Sequence, residues 1–199
     1  MNKRAYKQNC SLALASDLLG ERWTFLILRE LLIQPCRFKM LNEYLQGMGT
    51  NLLTTRLKEL ETNEIITRQE NGGRQAPYVL TEKGKHCEPM ILEIIRWGMT
   101  NTQFDESFLH FEHWDFLALK ALFVPQQIAK NLKIKFKLKN GFAWVSVNSQ
   151  QCKFGLEDTE EFDVIFVGNL KELQTQLQND IKLKPELVEF VQCFSLPEK

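Results

Sequence analysis

The architecture of this chain follows from one segment, Thr50-Asn51-Leu52-Leu53-Thr54-Thr55-Arg56-Leu57-Lys58-Glu59-Leu60-Glu61. At helical spacing three leucines share one face, and short polar and basic side chains share the other: Asn51, Thr54, Thr55 and Lys58. Thr50 is expected to cap the helix. Side chains of this kind reach base edges and phosphates when a helix enters the major groove, so the segment is interpreted as a DNA-recognition helix. An ordinary amphipathic helix is the alternative.

The residues before this segment predict three helices. Apolar positions recur over residues 12–19 until Gly20, a largely buried helix covers residues 23–32 and ends before Pro35, and a third begins near Phe38. Gly47 and Gly49 then break the chain. A short helix, a tight turn and a helix with a polar outer face form the helix-turn-helix arrangement.

The residues after it predict a hairpin. Residues 65–69 and 78–80 are typical of strands, and Asn71-Gly72-Gly73 is typical of a turn, with Arg74 and Gln75 near the tip. A hairpin directly after a recognition helix is the wing of a winged helix, whose tip arginine can reach the minor groove or a phosphate. A surface hairpin with a solvated arginine is the alternative.

Thr81 is expected to cap a long helix, which Pro89 would bend. One side of that helix is apolar: Cys87, Ile91, Ile94, Ile95 and Gly98. A small winged-helix domain cannot cover so much apolar surface, so a second subunit is expected to cover it. A two-fold dimer would present two recognition helices to half-sites about one helical turn apart. Packing against the protein's own second domain is the alternative.

Composition sets wider limits. The chain has 199 residues, of which 44% are hydrophobic, enough for a packed core. Residues 1–103 carry 14 basic and 11 acidic side chains, and residues 104–199 carry 11 and 14, which permits a DNA-facing first half. Five scattered cysteines argue against a disulfide framework or a zinc site. With no long apolar run and no secretory signal, we expect a cytoplasmic protein without membrane contact.

These motifs resemble the HxlR-type winged-helix transcriptional regulators. The matching residues are Cys10-Ser11-Leu12, Gly20-Glu21-Arg22-Trp23-Thr24, the run 26–31, Arg37-Phe38, Leu53-x-x-Arg56-Leu57-x-x-Leu60-Glu61, Tyr78-x-Leu80-Thr81-x-x-Gly84 and Trp97. The resemblance covers residues 10–98. It implies a homodimeric regulator of operator DNA that dimerises through its first helix and the helix ending near Trp97.

The expected DNA-binding residues are Arg37, Lys39, Asn51, Thr54, Thr55, Arg56, Lys58, Arg74 and Gln75. Arg56 is ambiguous, because at its spacing it reaches either a phosphate or an acidic neighbour. The chain departs from the family where Glu64-Ile65-Ile66 replaces Gly-Leu-Val, and Asn63 is expected to take the left-handed turn. Gly72-Gly73 also replaces a tyrosine- and proline-rich wing.

Cys10 lies where several members of this family carry a redox- or electrophile-sensing cysteine. Lys3, Arg4 and Lys7 would lower the pKa of its thiol and raise its thiolate fraction. The alternative is a half-buried cysteine without a sensing role.

The second half, after a short linker at residues 100–103, predicts a small α+β domain over residues 104–199. Helices are expected over residues 114–123 and 126–132. Residues 133–139 then alternate lysine with apolar side chains, as in a strand with one solvated face, and Asn140-Gly141 predicts a hairpin. Further strands and two helices follow, so the fold class is α+β: a winged helix-turn-helix domain, then an antiparallel sheet with helices.

The order of these elements resembles the sterol-carrier-like domain sometimes fused behind HxlR-type winged helices. That resemblance suggests a cavity for an apolar small-molecule effector, with Phe136, Leu138, Trp144, Phe154 and Phe166 as wall residues. The same aromatic residues are equally consistent with a filled core.

An enzyme is not expected. His110-x-x-His113 lacks the context of a metal site, and there is no phosphate-binding glycine loop or nucleophile elbow, so no cofactor, metal or catalytic residue is predicted. The competing function is a ligand carrier or interaction module that uses the winged helix for protein contacts.

Overall fold

The fold is known from a computed structural model, which describes residues 5–69, 75–103, 105, 107–125, 131–178 and 183–194. Contacts divide the chain into two compact units, Met1–Ile91 and Leu92–Lys199. The division falls inside a helix that continues to Asn101, so Thr100 and Asn101 complete this helix instead of forming a linker. Among the described residues, no helix is both long and apolar enough to span a bilayer.

The described residues of the first unit form five helices, a two-stranded sheet and the start of a sixth helix. In chain order these elements are α1 (Ser11–Leu19), α2 (Thr24–Ile33), α3 (Phe38–Tyr44), α4 (Thr50–Thr62), β1 (Ile66–Arg68), β2 (Tyr78–Leu80), α5 (Glu82–Lys85) and α6 (Glu88–Asn101). Side chains of α2, α3 and α4 form the core: Ile27, Leu28, Leu41, Leu53, Leu57 and Leu60. The winged-helix order of elements is therefore confirmed.

The hairpin pairs β1 with β2 in antiparallel register, with Ile66 opposite Leu80 and Arg68 opposite Tyr78. Ile66 and Tyr78 are buried, which anchors the hairpin to the core. The turn expected at Asn71-Gly72-Gly73, and Arg74 after it, lie outside the described residues.

Two expectations at the ends of α4 are wrong. Gly49 is the N-cap, with extended backbone, and Thr50 is already helical, so its side chain makes no cap. At the other end the left-handed residue is Glu64, with φ of 57°, while Asn63 stays at φ of −91°. The amide of Asn63 instead donates to the carbonyl oxygen of Glu59 at 2.7 Å, which closes the last turn of the helix.

The long helix expected after Thr81 is divided into α5 and α6. Thr81 caps α5 as predicted, because its hydroxyl oxygen accepts from the N–H of Gly84 at 3.1 Å. His86 and Cys87 separate the two helices, and Pro89 is the second residue of α6. A proline is tolerated in a first helical turn, where its missing N–H has no partner to lose, so Pro89 does not bend a helix interior.

The second unit is an α+β domain. Its elements are α7 (His113–Leu122), β3 (Leu132–Leu138), β4 (Gly141–Val147), β5 (Cys152–Gly155), β6 (Val164–Val167), α8 (Leu170–Gln178) and α9 (Pro185–Gln192). The strand order is β5-β4-β3-β6. β3, β4 and β5 form the expected antiparallel meander, and β6 joins parallel to β3. Of the helix expected over residues 126–132, residues 126–130 lie outside the described part, and Leu132 begins β3.

The sheet has two different faces. Phe136, Val145 and Phe166 point toward the helices and are buried with side chains of α7 and α9. The lysines of β3 point to the opposite face, which we expected to be solvated. That expectation is wrong for Lys135, which is only 9% exposed because a loop covers it. The loop joins β5 to β6 and is far from β3 in sequence, so local alternation could not reveal it.

Candidate nucleic-acid interface

The outer face of α4 is polar and exposed. Leu53, Leu57 and Leu60 are at most 3% exposed and hold the helix on the core. Four of the side chains expected to contact DNA lie on the exposed side of this helix: Asn51, Thr54, Thr55 and Lys58. A helix held by one leucine stripe presents the opposite face as a rigid surface.

The two threonines of this face bond to their own helix. The Thr54 hydroxyl donates to the carbonyl oxygen of Thr50 at 2.8 Å, and the Thr55 hydroxyl donates to that of Asn51 at 2.9 Å. Each hydroxyl has only one hydrogen, which these bonds use. In this state the threonines offer an outside partner a methyl group and an acceptor oxygen, whereas Asn51 and Lys58 supply donors.

Arg56 faces acidic side chains of its own domain. Its guanidinium lies 2.8 Å from a carboxylate oxygen of Glu21 and 2.5 Å from one of Glu59. Its side chain is only 15% exposed. The sequence left open whether Arg56 contacts a phosphate or an acidic neighbour, and in the structure it contacts two acidic neighbours.

Two further basic side chains lie at the start of α3. Arg37 is the N-cap residue of this helix, and its carbonyl oxygen accepts from the N–H of Leu41 at 3.0 Å. Lys39 follows in the first turn, and both residues are exposed. Because α3 precedes the recognition helix in the helix-turn-helix, both cations belong to the same motif as α4.

The described part of the wing adds Arg68, which the sequence analysis missed. Its guanidinium lies over the ring of Tyr78, 4.3 Å from the centroid, and donates to the Tyr78 hydroxyl. It also lies 3.4 Å from a carboxylate oxygen of Glu61 in α4. Arg68 thus joins the wing to the recognition helix. The facing positions of Arg68 and Tyr78 in the hairpin are the signal that could have revealed it. Gln75 is exposed.

Cys10 is exposed, whereas the other four cysteines are buried. It is the N-cap residue of α1, although its sulfur makes no capping hydrogen bond of ordinary geometry. The backbone N–H groups of Ala13 and Leu12 at the helix start nevertheless lower the pKa of its thiol. The helix terminus supplies this effect, and not Lys7, one of the three cations to which we attributed it. The other two, Lys3 and Arg4, lie outside the described residues.

The expected cavity residues do not share one face. Phe136 is fully buried, and its ring packs against those of Phe116, Phe166 and Phe190 with centroids 5.6 to 6.3 Å apart. Leu138 and Phe154 pack against the same core. Trp144 is paired with Lys135 in the sheet and therefore lies on the opposite face, so its assignment to the cavity wall is wrong.

The histidines near α7 interact with their neighbours. Nε2 of His110 lies 3.2 Å from a carboxylate oxygen of Asp115, and the ring of His113 packs against Phe111 and Trp114. Within the described residues, no three His, Cys, Asp or Glu side chains are grouped so that they could hold a metal ion.

Comparison with known proteins places this geometry in context. The family model "HxlR-like helix-turn-helix" matches residues 18–106. The HTH-type transcriptional regulator YodB of Bacillus subtilis (strain 168) is 40% identical over 86 residues, which cover 42% of this chain and 77% of that protein. An uncharacterized HTH-type transcriptional regulator of the same organism, YvaP, is 35% identical over 97 residues, which cover 48% and 88%.

Among solved structures, the crystal structure of quinone-bound YodB from B. subtilis matches at 39% identity with a TM-score of 0.40, covering 45% of this chain and 96% of that one. These relatives are transcriptional regulators and not enzymes, as the sequence predicts. Cys10 and residues 107–199 lie outside the segment that the family model matches.

Proposed function

Because this chain belongs to the HxlR-like helix-turn-helix family of transcriptional regulators, we propose that it binds operator DNA with α4 in the major groove. The observation that carries the proposal is the exposed face of α4, where Asn51 and Lys58 stand beside two threonines on a helix held by buried leucines. Short polar side chains on a rigid helix are suited to reading base edges.

The contacts divide into two kinds. Asn51 is assigned to base reading, because an asparagine amide can donate to and accept from adenine at once. Lys58, Arg37 and Lys39 are assigned to phosphates, because a cationic side chain attracts the charged DNA backbone whatever the base sequence. Arg56 positions α4 through its contacts with the carboxylates of Glu21 and Glu59. In the wing, Arg74 and Gln75 remain the residues assigned to DNA.

The test is a titration of the full chain with double-stranded DNA from the region upstream of its own gene, at several salt concentrations. Lys58→Ala should weaken binding to all sequences alike and reduce the salt slope by about 2, one contact for each subunit of a dimer. Asn51→Ala should narrow the difference between operator and random DNA by about 1–3 kcal/mol. Lys139→Ala, an exposed lysine of the second unit, is the matched control. Unchanged affinity in both Lys58→Ala and Arg37→Ala would overturn the proposal.

A homodimer is proposed as the binding form. Leu12 and Leu14 of α1 are 75% and 52% exposed, and Trp97 of α6 is 63% exposed. Apolar side chains exposed along a helix are typical of an interface. Trp97→Arg should shift sedimentation toward the monomer, whereas Phe108→Arg, at an exposed aromatic residue outside both helices, should not. A dimer that withstands both Trp97→Arg and Leu12→Arg would exclude this interface.

The effector is proposed to act through Cys10 or through an apolar small molecule in the second unit. The exposed thiol with its lowered pKa supports the first route. The second rests on the resemblance to sterol-carrier-like domains. Diamide treatment that leaves operator affinity unchanged would exclude Cys10, and solvent extraction followed by mass spectrometry would reveal a carried apolar ligand. A cytoplasmic location is part of this proposal.

A further inference from the structure

The outer face of the sheet in the second unit is occupied by a segment of the chain itself. Residues 157–163, here called the acidic loop, connect β5 to β6 and contain five carboxylates: Glu157, Asp158, Glu160, Glu161 and Asp163. The loop lies across the lysines of β3 and the aromatic residues of β4. These contacts join residues 13 to 30 positions apart in the sequence.

Lys135 is the centre of this arrangement. Its ammonium group lies 2.5 Å from a carboxylate oxygen of Asp158 and donates to the carbonyl oxygen of Thr159 at 2.9 Å. The rings of Phe142 and Phe162 lie 4.7 and 5.0 Å from the same nitrogen. A cation between two aromatic faces and beside a carboxylate is a complete recognition site.

A second set of contacts lies beside it. The ammonium group of Lys133 is 4.7 Å from the ring centroid of Trp144 and donates to the Thr159 hydroxyl at 3.2 Å. The indole N–H of Trp144 donates to a carboxylate oxygen of Glu157 at 2.8 Å. The sheet therefore holds carboxylates, a carbonyl, a hydroxyl and a phenyl ring, all of which are groups of a peptide.

The acidic loop is held by contacts that can be exchanged. Glu157, Asp158 and Phe162 are all exposed, so water reaches the loop side of each contact even though Lys135 is buried. The same face continues beyond the loop, where the register places Lys137 beside Val167, both exposed. A cationic and apolar surface thus extends further than the segment that occupies it.

We propose that this face is a docking surface for an acidic peptide segment of a partner protein, with a carboxylate followed four residues later by an aromatic side chain. The acidic loop, with Asp158 and Phe162 in that spacing, is the competitor within the chain. A tethered segment has a high effective concentration, so the partner binds only when it displaces the loop. An acidic peptide is favoured because Lys135 already binds a carboxylate, a backbone carbonyl and an aromatic ring together, a combination that such a peptide supplies.

The experiment uses the full chain and a fluorescent peptide with the sequence of residues 156–163. The variant Glu157→Gln/Asp158→Asn/Phe162→Ala removes the competitor and should bind this peptide at least tenfold more tightly than the original chain, measured by anisotropy at low salt. A matched peptide with amides in place of the carboxylates and alanine in place of phenylalanine should not bind. Adding Lys135→Met to the variant should reverse the gain.

The outcomes are distinct. If the original chain and the triple variant are both folded by circular dichroism and bind the peptide equally, the proposal is overturned. It is also overturned if the triple variant keeps its higher peptide affinity after Lys135→Met. If the triple variant binds a thymidine oligonucleotide but not the peptide, the face is assigned to nucleic acid instead. Should the triple variant fail to fold, Asp158→Asn alone replaces it, with an expected gain of about threefold and the same controls.

Discussion

The guanidinium of Arg56 in the recognition helix lies 2.8 Å from a carboxylate oxygen of Glu21, in the turn between α1 and α2. This pair joins two segments that are 35 positions apart in sequence. It adds to the buried leucines an ion pair that ties α4 to the turn between α1 and α2. Arg56 therefore has a structural role within the segment that we propose reads DNA.

Arg56 and Lys58 should therefore respond differently to substitution. Arg56→Gln should lower the free energy of unfolding by about 1–2 kcal/mol, because Glu21 and Glu59 lose a charged hydrogen-bonding partner in a half-buried place. Lys58→Gln should change it by less than about 0.5 kcal/mol, because that side chain is exposed. Urea unfolding of both variants measures the difference, and equal losses would refute the assignment.

Glu64→Gly should stabilise the protein by about 0.5–1 kcal/mol. Glu64 has φ of 57°, where a side chain costs about 1–2 kcal/mol and glycine costs part of that in entropy. Asn63→Gly is the matched control and should destabilise by about 1 kcal/mol, because it removes the amide that bonds to Glu59. A gain in thermal stability at position 63 instead of 64 would contradict the backbone described here.

Gly84→Ala should destabilise the protein by about 3 kcal/mol or more. A Cβ atom at this position would lie 2.0 Å from the carbonyl oxygen of Ile65, which is backbone and cannot turn aside. Gly49→Ala is the control, since a Cβ there meets nothing within 4 Å, and its cost should not exceed about 1 kcal/mol. The comparison is made by denaturant unfolding, and similar losses would show that Gly84 and the backbone of Ile65 do not approach so closely.

Cys10 should be the first thiol of the folded chain to be alkylated. The N–H groups at the start of α1 lower its pKa, whereas burial raises the pKa of Cys36 and of Cys152 to about 12. Iodoacetamide at neutral pH, followed by peptide mass spectrometry, should label Cys10 well before the others. The labelling rate of Cys10 should reach its plateau at a lower pH in the folded chain than in urea, because the folded chain lowers the pKa of this thiol. Labelling of Cys36 at a similar rate would contradict this.

The contact of Asp158 with Lys135 should depend on pH in one direction. The hydrogen bond with Lys135 lowers the pKa of Asp158 from its ordinary value of 3.8. A carboxylate with a lowered pKa contributes stability above its ordinary pKa and loses it as the pH falls through the lowered value. Asp158→Asn should therefore be less stable than the original chain at pH 7 and equal to it in strong acid. A difference in urea midpoint that persists in strong acid would argue against the contact.

Much of the fold could be predicted because it depends on local periodicity. The leucines at positions 53, 57 and 60 recur at helical spacing, so the buried face of α4 follows from the sequence alone. The hairpin and the capping role of Thr81 follow in the same way from β-branched runs and a threonine before an acidic turn. Each of these features depends on residues within a few positions of one another.

The sequence by itself determined the order of the first four helices and the hairpin, the winged-helix class and the side of α4 that faces outward. Only the tertiary structure decided that Arg56 pairs with Glu21, that Glu64 and not Asn63 takes the left-handed turn, and that the acidic loop covers Lys135. The physical reason is the range of the interactions. Side-chain periodicity reports which face of an element is buried, but the partner that covers that face comes from a distant part of the chain and is selected by packing and charge in three dimensions.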